Sequence, residues 1–325
     1  MLLIYSLTLT VQFIGILKVY RANFMNFSYI ILTYNRAKAT KEAIDNVLFF
    51  LDKPESTELE IIIVNNNSTE DYSGLEKYID NLNRSGHDLN YIKNDKNLGV
   101  AGGRNQGMGL AKHELIVSLD DDAEFQEKNM MQLSIDLLKK YQKENVKMLT
   151  FKVVEEADGS IDIATKNKAN YAKDEFFTTY FKGGCHCIVK DVLTETGMYD
   201  IDGLYGAEEY DLSYKLIDKG YRIVHSSAIS ILHKRVLTGR LPSDEMNAKL
   251  MLNKTILAYK FLPYIYFLTH LILWSGFLMK RTKANIFILI KTINGIRRQT
   301  KNLDRQIISK EAQEYILLHG GRLTH

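Results

Sequence analysis

Short apolar runs alternate with longer amphipathic segments through the first half of the chain. Runs rich in β-branched residues predict buried strands, and apolar residues that recur every three to four positions predict helices. The predicted strands cover residues 28–32, 60–64, 90–93 and 114–119, and the predicted helices cover 38–51, 74–82, 102–112 and 127–141. This alternation indicates an α/β fold in which a mostly parallel sheet is covered by helices.

Polar residues cluster directly after the predicted strands. The clusters cover residues 33–36, 65–71, 97–105 and 120–122. In sheets of this type, ligands bind at the carboxyl ends of the parallel strands. We therefore expect these clusters to form one site at one edge of the sheet.

Three consecutive carboxylates, Asp120, Asp121 and Asp122, end the fourth predicted strand. Adjacent carboxylates repel each other unless a cation or a set of donors offsets their charge. Alternation along an extended backbone would turn Asp120 and Asp122 to one side, where they could share Mg²⁺ or Mn²⁺, and such an ion could neutralise a diphosphate. The alternative is that one acid caps the helix predicted at 127–141. A cap needs only one acid, so we favour the metal site.

A glycine-rich segment, residues 97–109, lies between the third predicted strand and its following helix. It lacks the glycine spacing of a dinucleotide fingerprint and the lysine of a P-loop, which argues against a Rossmann dehydrogenase and a P-loop NTPase. It offers a turn at Gly99, close backbone approach at Gly102 and Gly103, and Arg104 near a helix N-terminus. These features suit an anionic ligand. An ordinary strand-to-helix turn is the alternative.

Apolar stretches stand at both ends of the chain. Residues 2–17 are mostly apolar and precede Lys18 and Arg21, the reverse of the charge order of a signal peptide. They form either a membrane anchor or an extension upstream of a start at Met25. Residues 261–279 form a membrane span, a helix in the membrane plane or a helix buried in a homo-oligomer interface. We divide the chain into an extension at 1–24, a catalytic domain at 25–240 and a helical extension at 241–325.

Charge and cysteine content indicate which partners and which cellular compartment suit the chain. A net charge of +3 is too weak to indicate nucleic acid binding. Eight basic residues and one acidic residue lie between Lys280 and Arg305, beside the apolar stretch, a pattern that suits an anionic membrane surface. The only cysteines, Cys185 and Cys187, flank His186. They are too few for a disulfide framework and lack a second ligand pair for a thiolate metal site, so we interpret them as packed strand residues in a reducing compartment.

Five motifs together resemble a known family. They are Leu-Thr-Tyr-Asn-Arg at 32–36, Val-Asn-Asn-Asn-Ser-Thr at 64–69, Asn-Leu-Gly-Val-Ala-Gly-Gly-Arg-Asn at 97–105, Leu-Asp-Asp-Asp at 119–122 and Gly-Ala-Glu-Glu-Tyr-Asp-Leu at 206–212. In this order they resemble a family 2 glycosyltransferase, and among these the bacterial rhamnosyltransferase-like enzymes. The resemblance covers about two thirds of the chain, roughly residues 25–235. It implies a GT-A fold, a nucleoside diphosphate sugar donor, a divalent metal and inversion at the anomeric carbon by direct displacement.

The resemblance also assigns roles to single residues. Asp120 and Asp122 would hold the metal and the donor with Asp121 between them, and His233, after a predicted strand at 228–232, would complete the metal site. The donor pocket would be lined by Thr33, Asn35, Arg36, Asn65, Asn97, Gly102, Arg104, Asp120 and Asp121, and the acceptor side by Gly183, Gly184 and Glu208.

An inverting transfer needs a general base within reach of the acceptor hydroxyl. The position of the family's base is occupied by Glu209, and Asp211 is the second candidate. Both lie in the first turn of a predicted helix, where the helix dipole favours the charged form of a carboxylate. The alternative is that these acids are ordinary N-terminal helix charges.

The sequence therefore predicts a metal-dependent inverting glycosyltransferase at the cytoplasmic face of the cell membrane. Its acceptor would be a hydroxyl of a cell-surface glycan or of a lipid-linked precursor. One alternative is a GT-A-like nucleotidyltransferase, but the chain has no glycine-rich Arg-Pro-Lys signature near the first strand. The other is a non-catalytic, membrane-associated glycan-binding protein, against which the retained acids argue.

Overall fold

The computed structural model describes residues 25–200, 206–234 and 243–324. The N-terminal extension at 1–24 and the domain boundary after residue 240 lie outside the described residues.

A sheet of ten strands is covered by ten α-helices among the described residues. The strands are β1 (Phe27–Thr33), β2 (Leu59–Asn65), β3 (Leu89–Lys93), β4 (Leu115–Asp120), β5 (Ala123–Phe125), β6 (Val146–Glu155), β7 (Ile161–Asp162), β8 (Glu175–Thr178), β9 (Cys185–Val189) and β10 (Arg222–His233). The helices are α1 (Ala37–Asp45), α2 (Ser73–Arg84), α3 (Gly99–Leu110), α4 (Met130–Lys140), α5 (Leu193–Thr196), α6 (Glu208–Asp218), α7 (Ser243–Phe261), α8 (Tyr264–Arg281), α9 (Ile286–Thr300) and α10 (Lys310–Leu318). All four strands and four helices predicted in the first half are present, with shifted ends.

The strand order in the sheet is β3-β2-β1-β4-β9-β6-β10-β5, and β7 and β8 pair with β6 and β10. The first four strands are parallel, as predicted. The second half is mixed, because β9 runs antiparallel between β4 and β6, whereas β6 and β10 are parallel. Leu119 therefore lies opposite Cys185. This pairing brings the two residues before β9 beside the end of β4.

Strand β9 also explains the cysteine pair. Cys185 and Cys187 are free, fully buried and packed in the larger hydrophobic core. Because side chains alternate along a strand, His186 points to the opposite face, where its ring lies 4.4 Å from that of Phe181. The interpretation of these residues as packed strand residues is confirmed.

Both faces of the parallel half of the sheet are buried, which accounts for its continuous apolar runs. Tyr29 and Ile31 of β1 face one core, and Ile30 faces the other. The second core contains helix α3, which lies close to β1 because it lacks side chains at the contact. A Cβ at Gly103 would collide with Leu32, and a Cβ at Gly107 would lie 2.5 Å from Ile30 Cγ2.

This contact corrects the interpretation of the glycine-rich segment. Helix α3 begins at Gly99, three residues earlier than predicted, so Gly102 and Gly103 lie inside it. A Cβ at Gly102 would lie 2.8 Å from Leu98 Cβ. Packing against Leu32 accounts for the glycine at 103, whereas the role of Gly102 beside the donor stays a prediction.

The C-terminal helices pack through α6 on the part of the chain that forms the sheet. Tyr214 and Ile217 of α6 share a hydrophobic cluster with Leu257 and Phe261 of α7. The opposite side of this extension is apolar and open, with Ile272 of α8 70% exposed and Phe287 of α9 81% exposed. Among the described residues, α8 included, no helix has the length and apolar character needed to cross a membrane.

Candidate active site

The three consecutive aspartates occupy the edge of the sheet where β4 ends, and two arginines contact them. Arg104 Nη2 lies 2.8 Å from Asp120 Oδ1, and Arg36 Nη1 lies 2.9 Å from Asp121 Oδ1 and 3.0 Å from Asp122 Oδ2. Helix α4 begins at Met130, several residues further on. The alternative of a helix cap is therefore wrong.

Asp120, Asp122 and His233 come together as predicted for a metal site. One ligand atom from each of the three lies within 4.8 Å of the other two. His233 reaches this position because it ends β10, which pairs with β5 immediately after the aspartates. Two carboxylates and an imidazole are an acceptable donor set for Mn²⁺.

Glu155, which the sequence did not indicate, orients the metal-site histidine. Its carboxylate lies 3.2 Å from His233 Nδ1, while His233 Nε2 lies 3.4 Å from Asp122 Oδ1. Carboxylates that hold the second ring nitrogen in this way fix the orientation of metal-binding histidines. Hydrogen bonding to Asp122, together with Glu155, raises the pKa of His233 to about 9 although burial opposes the charge. A pair of glutamates after a strand resembles an ordinary surface turn, which is why Glu155 was missed.

Asp121 differs from its two neighbours. Its side chain is buried, and burial raises its pKa to about 7, although the Arg36 guanidinium opposes the shift. The side chain is not part of the three-residue group described above. Asp121 and Asp122 instead share Arg36, which ties the loop after β1 to the end of β4.

Loops after β1 and β2 are held together by the residues predicted to line the nucleotide pocket. The Tyr72 hydroxyl lies 2.7 Å from Thr33 Oγ1 and accepts a hydrogen bond from the Arg36 backbone N–H at 3.0 Å. Asn35, whose φ is 56°, accepts from the backbone N–H groups of Thr69 and Glu70. Thr33 and Asn35 therefore brace the loops, and the guanidinium of Arg36 reaches the aspartates.

Asn65 and Asn97 also have partners within the protein. Asn65 is fully buried, donates to the Tyr91 hydroxyl at 2.8 Å and accepts from the Ser68 backbone N–H at 2.9 Å. Asn66, which was not singled out, donates to Asn97 Oδ1 at 2.9 Å. The asparagine run indicated a functional loop, but the sequence did not show which of its members faces inward.

Arg104 lies near two groups of carboxylates, the aspartates at the end of β4 and the glutamates at the start of α6. Its side chain is buried, and Asp120 is its salt-bridge partner. Burial opposes the charge, but Asp120, Tyr199 and the glutamates 208 and 209 outweigh that effect and raise the pKa of Arg104. Arg104 therefore stays cationic between the two groups of carboxylates.

The two candidate bases occupy different environments. Glu209 is half-buried and faces Gly183, where a Cβ would collide with its carboxylate. Asp211 is fully buried, and its carboxylate lies 2.6 Å from Lys215 Nζ and 3.1 Å from Lys260 Nζ. A carboxylate that is paired twice and shielded from solvent is a structural group, which leaves Glu209 as the better-placed base.

Glu208 lies in the same turn but is buried. Burial, followed by the charge of the adjacent Glu209, raises the pKa of Glu208 to about 8. It accepts a hydrogen bond from the Ala207 backbone N–H at 3.0 Å. Gly184, also predicted on the acceptor side, lies beside Asp120, with its Cβ position 3.1 Å from Oδ2.

Comparison with known proteins shows which family this region of the chain resembles. Residues 28–189 match the family described as Glycosyl transferase family 2. This match covers just under half of the chain. The matched region begins in β1 and ends with β9, so it includes the three aspartates and the glycines at 183 and 184.

Two relatives share sequence with this chain. A colanic acid biosynthesis glycosyl transferase described as WcaA, from Escherichia coli (strain K12), is 37% identical over 93 residues, which cover 29% of this chain and 31% of that protein. An uncharacterised protein of Haemophilus influenzae is 27% identical over 177 residues, which cover 52% of this chain and 90% of that protein. The match thus spans less than a third of the length of WcaA.

The similarity to solved structures covers more of the chain than the family match does. GalNAc-T7 with UDP, GalNAc and Mn²⁺ superposes with a TM-score of 0.61 at 18% identity, covering 92% of this chain and 58% of that one. The mannosyltransferase PcManGT from Pyrobaculum calidifontis, with GDP-Man and Mn²⁺, gives 0.54 at 16% identity, with 90% and 79% covered. S. aureus TarS with UDP-GlcNAc gives 0.56 at 17% identity, with 86% and 84% covered. These likenesses establish the GT-A fold.

Proposed function

We propose that this protein is a metal-dependent, inverting glycosyltransferase that transfers a sugar from a nucleoside diphosphate donor to a hydroxyl group. One arrangement carries the proposal: the group of Asp120, Asp122 and His233 lies on one side of Arg104, and Glu209 lies on the other. Structural neighbours that hold Mn²⁺ with UDP or GDP-Man support it. The arrangement provides a place for the leaving diphosphate and a separate place for a base.

On the donor side, Asp120, Asp122 and His233 would hold Mg²⁺ or Mn²⁺. When bound, the ion would supply positive charge that offsets the charge developing on the leaving diphosphate. Arg104 and Arg36 add two guanidinium groups beside the aspartates. Guanidinium groups suit phosphate oxygens because they donate hydrogen bonds in a planar fork.

On the acceptor side, Glu209 accepts the proton of the attacking hydroxyl. The acceptor oxygen forms a bond to the anomeric carbon as the bond from that carbon to the diphosphate oxygen breaks, so the nucleoside diphosphate leaves from the opposite face. General bases must lie within hydrogen-bond reach of the proton they remove. The glycine at 183 gives the Glu209 carboxylate the space to occupy its position beside Arg104.

The proposal is tested by incubating the full chain with a panel of nucleoside diphosphate sugars and following sugar hydrolysis or transfer. We include dTDP-rhamnose because the motifs resemble those of rhamnosyltransferases. Turnover of a donor that requires Mn²⁺ or Mg²⁺ and stops on addition of EDTA is expected. No turnover of any donor, combined with no metal-dependent binding of a nucleoside diphosphate, would contradict the proposal.

We further propose that the acceptor is a cell-surface glycan or its lipid-linked precursor, and that the protein works at an anionic membrane surface. The WcaA relative, the exposed apolar side chains of α8 and α9 and the basic residues between Lys280 and Arg305 support this. Apolar and basic side chains on one surface suit anionic headgroups. Sedimentation with vesicles tests it: binding to vesicles that contain phosphatidylglycerol, but not to neutral vesicles, is expected. Equal recovery in the supernatant with both would contradict it.

A further inference from the structure

A cavity of about 900 Å³ lies where the C-terminal helices meet the catalytic body. Its walls come from α6, α7, α8, the segments before and after β8, and the end of the chain. The lining residues are Lys166, Thr179, Tyr180, Tyr210, Tyr214, Leu250, Lys254, Leu257, His270, Leu273, Trp274, Phe277, Gly321, Arg322 and Thr324. We call it the Lys254 cavity.

Tyr210, which lines the Lys254 cavity, is the residue after the proposed base Glu209. Tyr210 follows Glu209 in the first turn of α6, and its ring stacks on that of Tyr180 with centroids 5.1 Å apart and planes inclined by 14°. Lys254 Nζ lies 3.2 Å from the centroid of the Tyr210 ring. An acceptor held in the cavity would therefore have part of its structure beside Glu209.

The charged side chains that line the cavity are all cationic. Lys166, Lys254 and Arg322 contribute, and no aspartate or glutamate belongs to the described lining. Among the described residues, no hydrogen bond or ion pair links Lys254 Nζ to an acceptor, although its ammonium lies against an aromatic face. A cation–π contact satisfies the charge only in part, since an ammonium group has three hydrogen-bond donors.

A second donor without a partner lies in the same wall. Trp274 Nε1 is buried and has no hydrogen-bond acceptor among the described residues. A buried donor that makes no hydrogen bond costs roughly 1–3 kcal/mol, so such groups are uncommon unless something else binds there. Indole, ammonium and guanidinium groups only donate hydrogen bonds. Their natural complement is a group that only accepts them, such as a phosphate.

The charge of Lys254 depends on what is bound beside it. Burial lowers its pKa to about 7, the Glu209 carboxylate opposes this shift, and Lys166 adds to it. An anion in the cavity would favour the charged form of the ammonium. An anionic occupant would thus stabilise the charged form of Lys254, which burial in the cavity disfavours.

Apolar side chains also line the cavity and continue to the surface. Leu250, Leu273 and Phe277 line it, and Leu273 is itself 52% exposed on the outer side of α8, next to the more exposed Ile272. An occupant with an apolar part could leave the cavity along α8 without losing apolar contact.

We propose that the Lys254 cavity binds a phosphate group of the acceptor, held by Lys254 and Lys166. This proposal rests on the proposed glycosyltransferase function, because Tyr210 places the cavity next to Glu209. The phosphate belongs either to a lipid-linked acceptor or to a water-soluble phosphorylated glycan, and the experiment below separates these two sources.

Trp274 makes the test direct because it is the only tryptophan of the chain. The full chain is titrated with inorganic pyrophosphate, with decyl phosphate and with uncharged decyl maltoside, and tryptophan fluorescence is followed. Saturable changes with both phosphates are expected. Tighter binding of decyl phosphate than of pyrophosphate indicates the lipid-linked source, and equal or weaker binding indicates the soluble one. Decyl maltoside that binds as tightly as decyl phosphate overturns the proposal, because the cavity would then select only apolar groups.

Three variants assign the effect to the ammonium group. Lys254→Met should weaken decyl phosphate binding at least about tenfold, the typical effect of losing a hydrogen bond to a charged group. Lys254→Arg keeps the charge and should stay within a few fold of the wild type. Lys249→Met is the matched control, since Lys249 is on the same helix but lines a different pocket beside Glu245. Unchanged affinity in Lys254→Met overturns the proposal.

Mn²⁺-dependent binding of UDP, measured by calorimetry on the same samples, separates this inference from the function on which it rests. Intact UDP binding in Lys254→Met shows that the variant is folded and that its donor site works. If the wild type binds UDP with Mn²⁺ but binds neither phosphate probe, the cavity proposal fails alone. If it binds no nucleoside diphosphate and turns over no donor, the proposed function fails.

Discussion

Gly183 faces the Glu209 carboxylate so closely that any side chain at position 183 would occupy the space of Glu209 Oε1. The adjacent Gly184 stands in the same relation to Asp120, whose Oδ2 would lie 3.1 Å from an added Cβ. Two consecutive glycines before β9 thus lie beside two different carboxylates, Glu209 and Asp120, and the pairing of β9 with β4 brings the second of them to the aspartates. This division leads to separate predictions for the two positions.

Gly183→Ala should displace Glu209 and leave the aspartates in place. We expect transfer to fall by roughly 100-fold, the scale of a misplacement of about 1 Å, because the flexible end of the glutamate would have to move. Mn²⁺-dependent UDP binding should remain within a few fold of the wild type. Gly184→Ala is the matched comparison and should weaken that binding roughly tenfold through Asp120. Equal effects of the two variants on UDP binding would be inconsistent with this division.

Asp122→Asn should remove the dependence of nucleotide binding on the metal. The substitution takes one carboxylate from the group that includes Asp120 and His233, and neutral amide oxygens bind divalent ions more weakly. Calorimetry should show that added Mn²⁺ no longer increases the affinity for UDP. Asp80→Asn, on the exposed side of α2, is the control and should behave like the wild type. A full response to Mn²⁺ in Asp122→Asn would remove Asp122 from the metal site.

Glu209→Gln and Asp211→Asn should fail in different ways. Without its base, Glu209→Gln should lose roughly 10²- to 10⁴-fold in transfer while it keeps donor binding and thermal stability. Asp211→Asn breaks buried ion pairs with Lys215 and Lys260 and should lower the free energy of unfolding by about 3–5 kcal/mol. Transfer rates and thermal denaturation of the two variants distinguish the roles. Full activity in Glu209→Gln with none in folded Asp211→Asn would move the base to Asp211.

Gly107→Ala should destabilise the protein, because the added methyl group would lie 2.5 Å from Ile30 Cγ2 in the packed contact between α3 and β1. Overpacking of this kind costs about 1–3 kcal/mol. Gly109→Ala, on the same helix, would meet only Met198 at 4.0 Å and should be neutral or slightly stabilising, since alanine favours helices. Denaturant unfolding of both variants measures the difference. Equal stabilities would show that the helix does not depend on glycine at this contact.

Anion binding in the Lys254 cavity should weaken as the pH rises through about 7, the pKa to which burial lowers Lys254. Below this pH the ammonium is charged and attracts an anion, and above it the amine is neutral. Decyl sulfate keeps its charge over this range, so its affinity at about pH 6 and about pH 9 isolates the titration of the protein. Lys254→Arg should remove the pH dependence, because arginine stays charged. A pH profile that persists in Lys254→Arg would assign it to another group. The other titratable or charged groups that face Lys254 or line the cavity are Lys166, Tyr180, Glu208, Glu209, Tyr210, Tyr214, His270 and Arg322.

The sequence predicts the parallel half of the sheet because each of its strands has a clear apolar run and a helix after it. Strand β9 could not be placed from the sequence, since antiparallel insertion between β4 and β6 depends on pairing between distant segments. The sequence led to the predicted metal site because three adjacent acids after a buried strand are costly without a cation, and the structure brings Asp120, Asp122 and His233 together. Glu155 was missed because it comes from a strand far along the chain, and nothing local marks it as the partner of His233.

The residues predicted to line the nucleotide pocket show a second reason why sequence alone does not define the site. Thr33, Asn35 and Asn65 were predicted to line the nucleotide pocket, and that role stays a prediction, because the contacts that the structure shows for their side chains are to neighbouring loops. Short polar side chains hydrogen-bond equally well to a backbone and to a ligand, so composition alone does not distinguish the two roles. The Lys254 cavity was not predicted from the sequence, because its walls come from segments on both sides of the predicted domain boundary.

The two buried thiols of β9 are built-in reporters of sheet opening. Burial raises the pKa of Cys187 to about 12 and that of Cys185 well above its ordinary value, so neither thiol reacts with an alkylating reagent while β9 stays paired. Because β9 joins the strand of the aspartates to the mixed half of the sheet, the rate of alkylation measures how often these halves separate. The same rate, taken with and without UDP and Mn²⁺, gives the stabilisation that a donor confers on the junction without any engineered label.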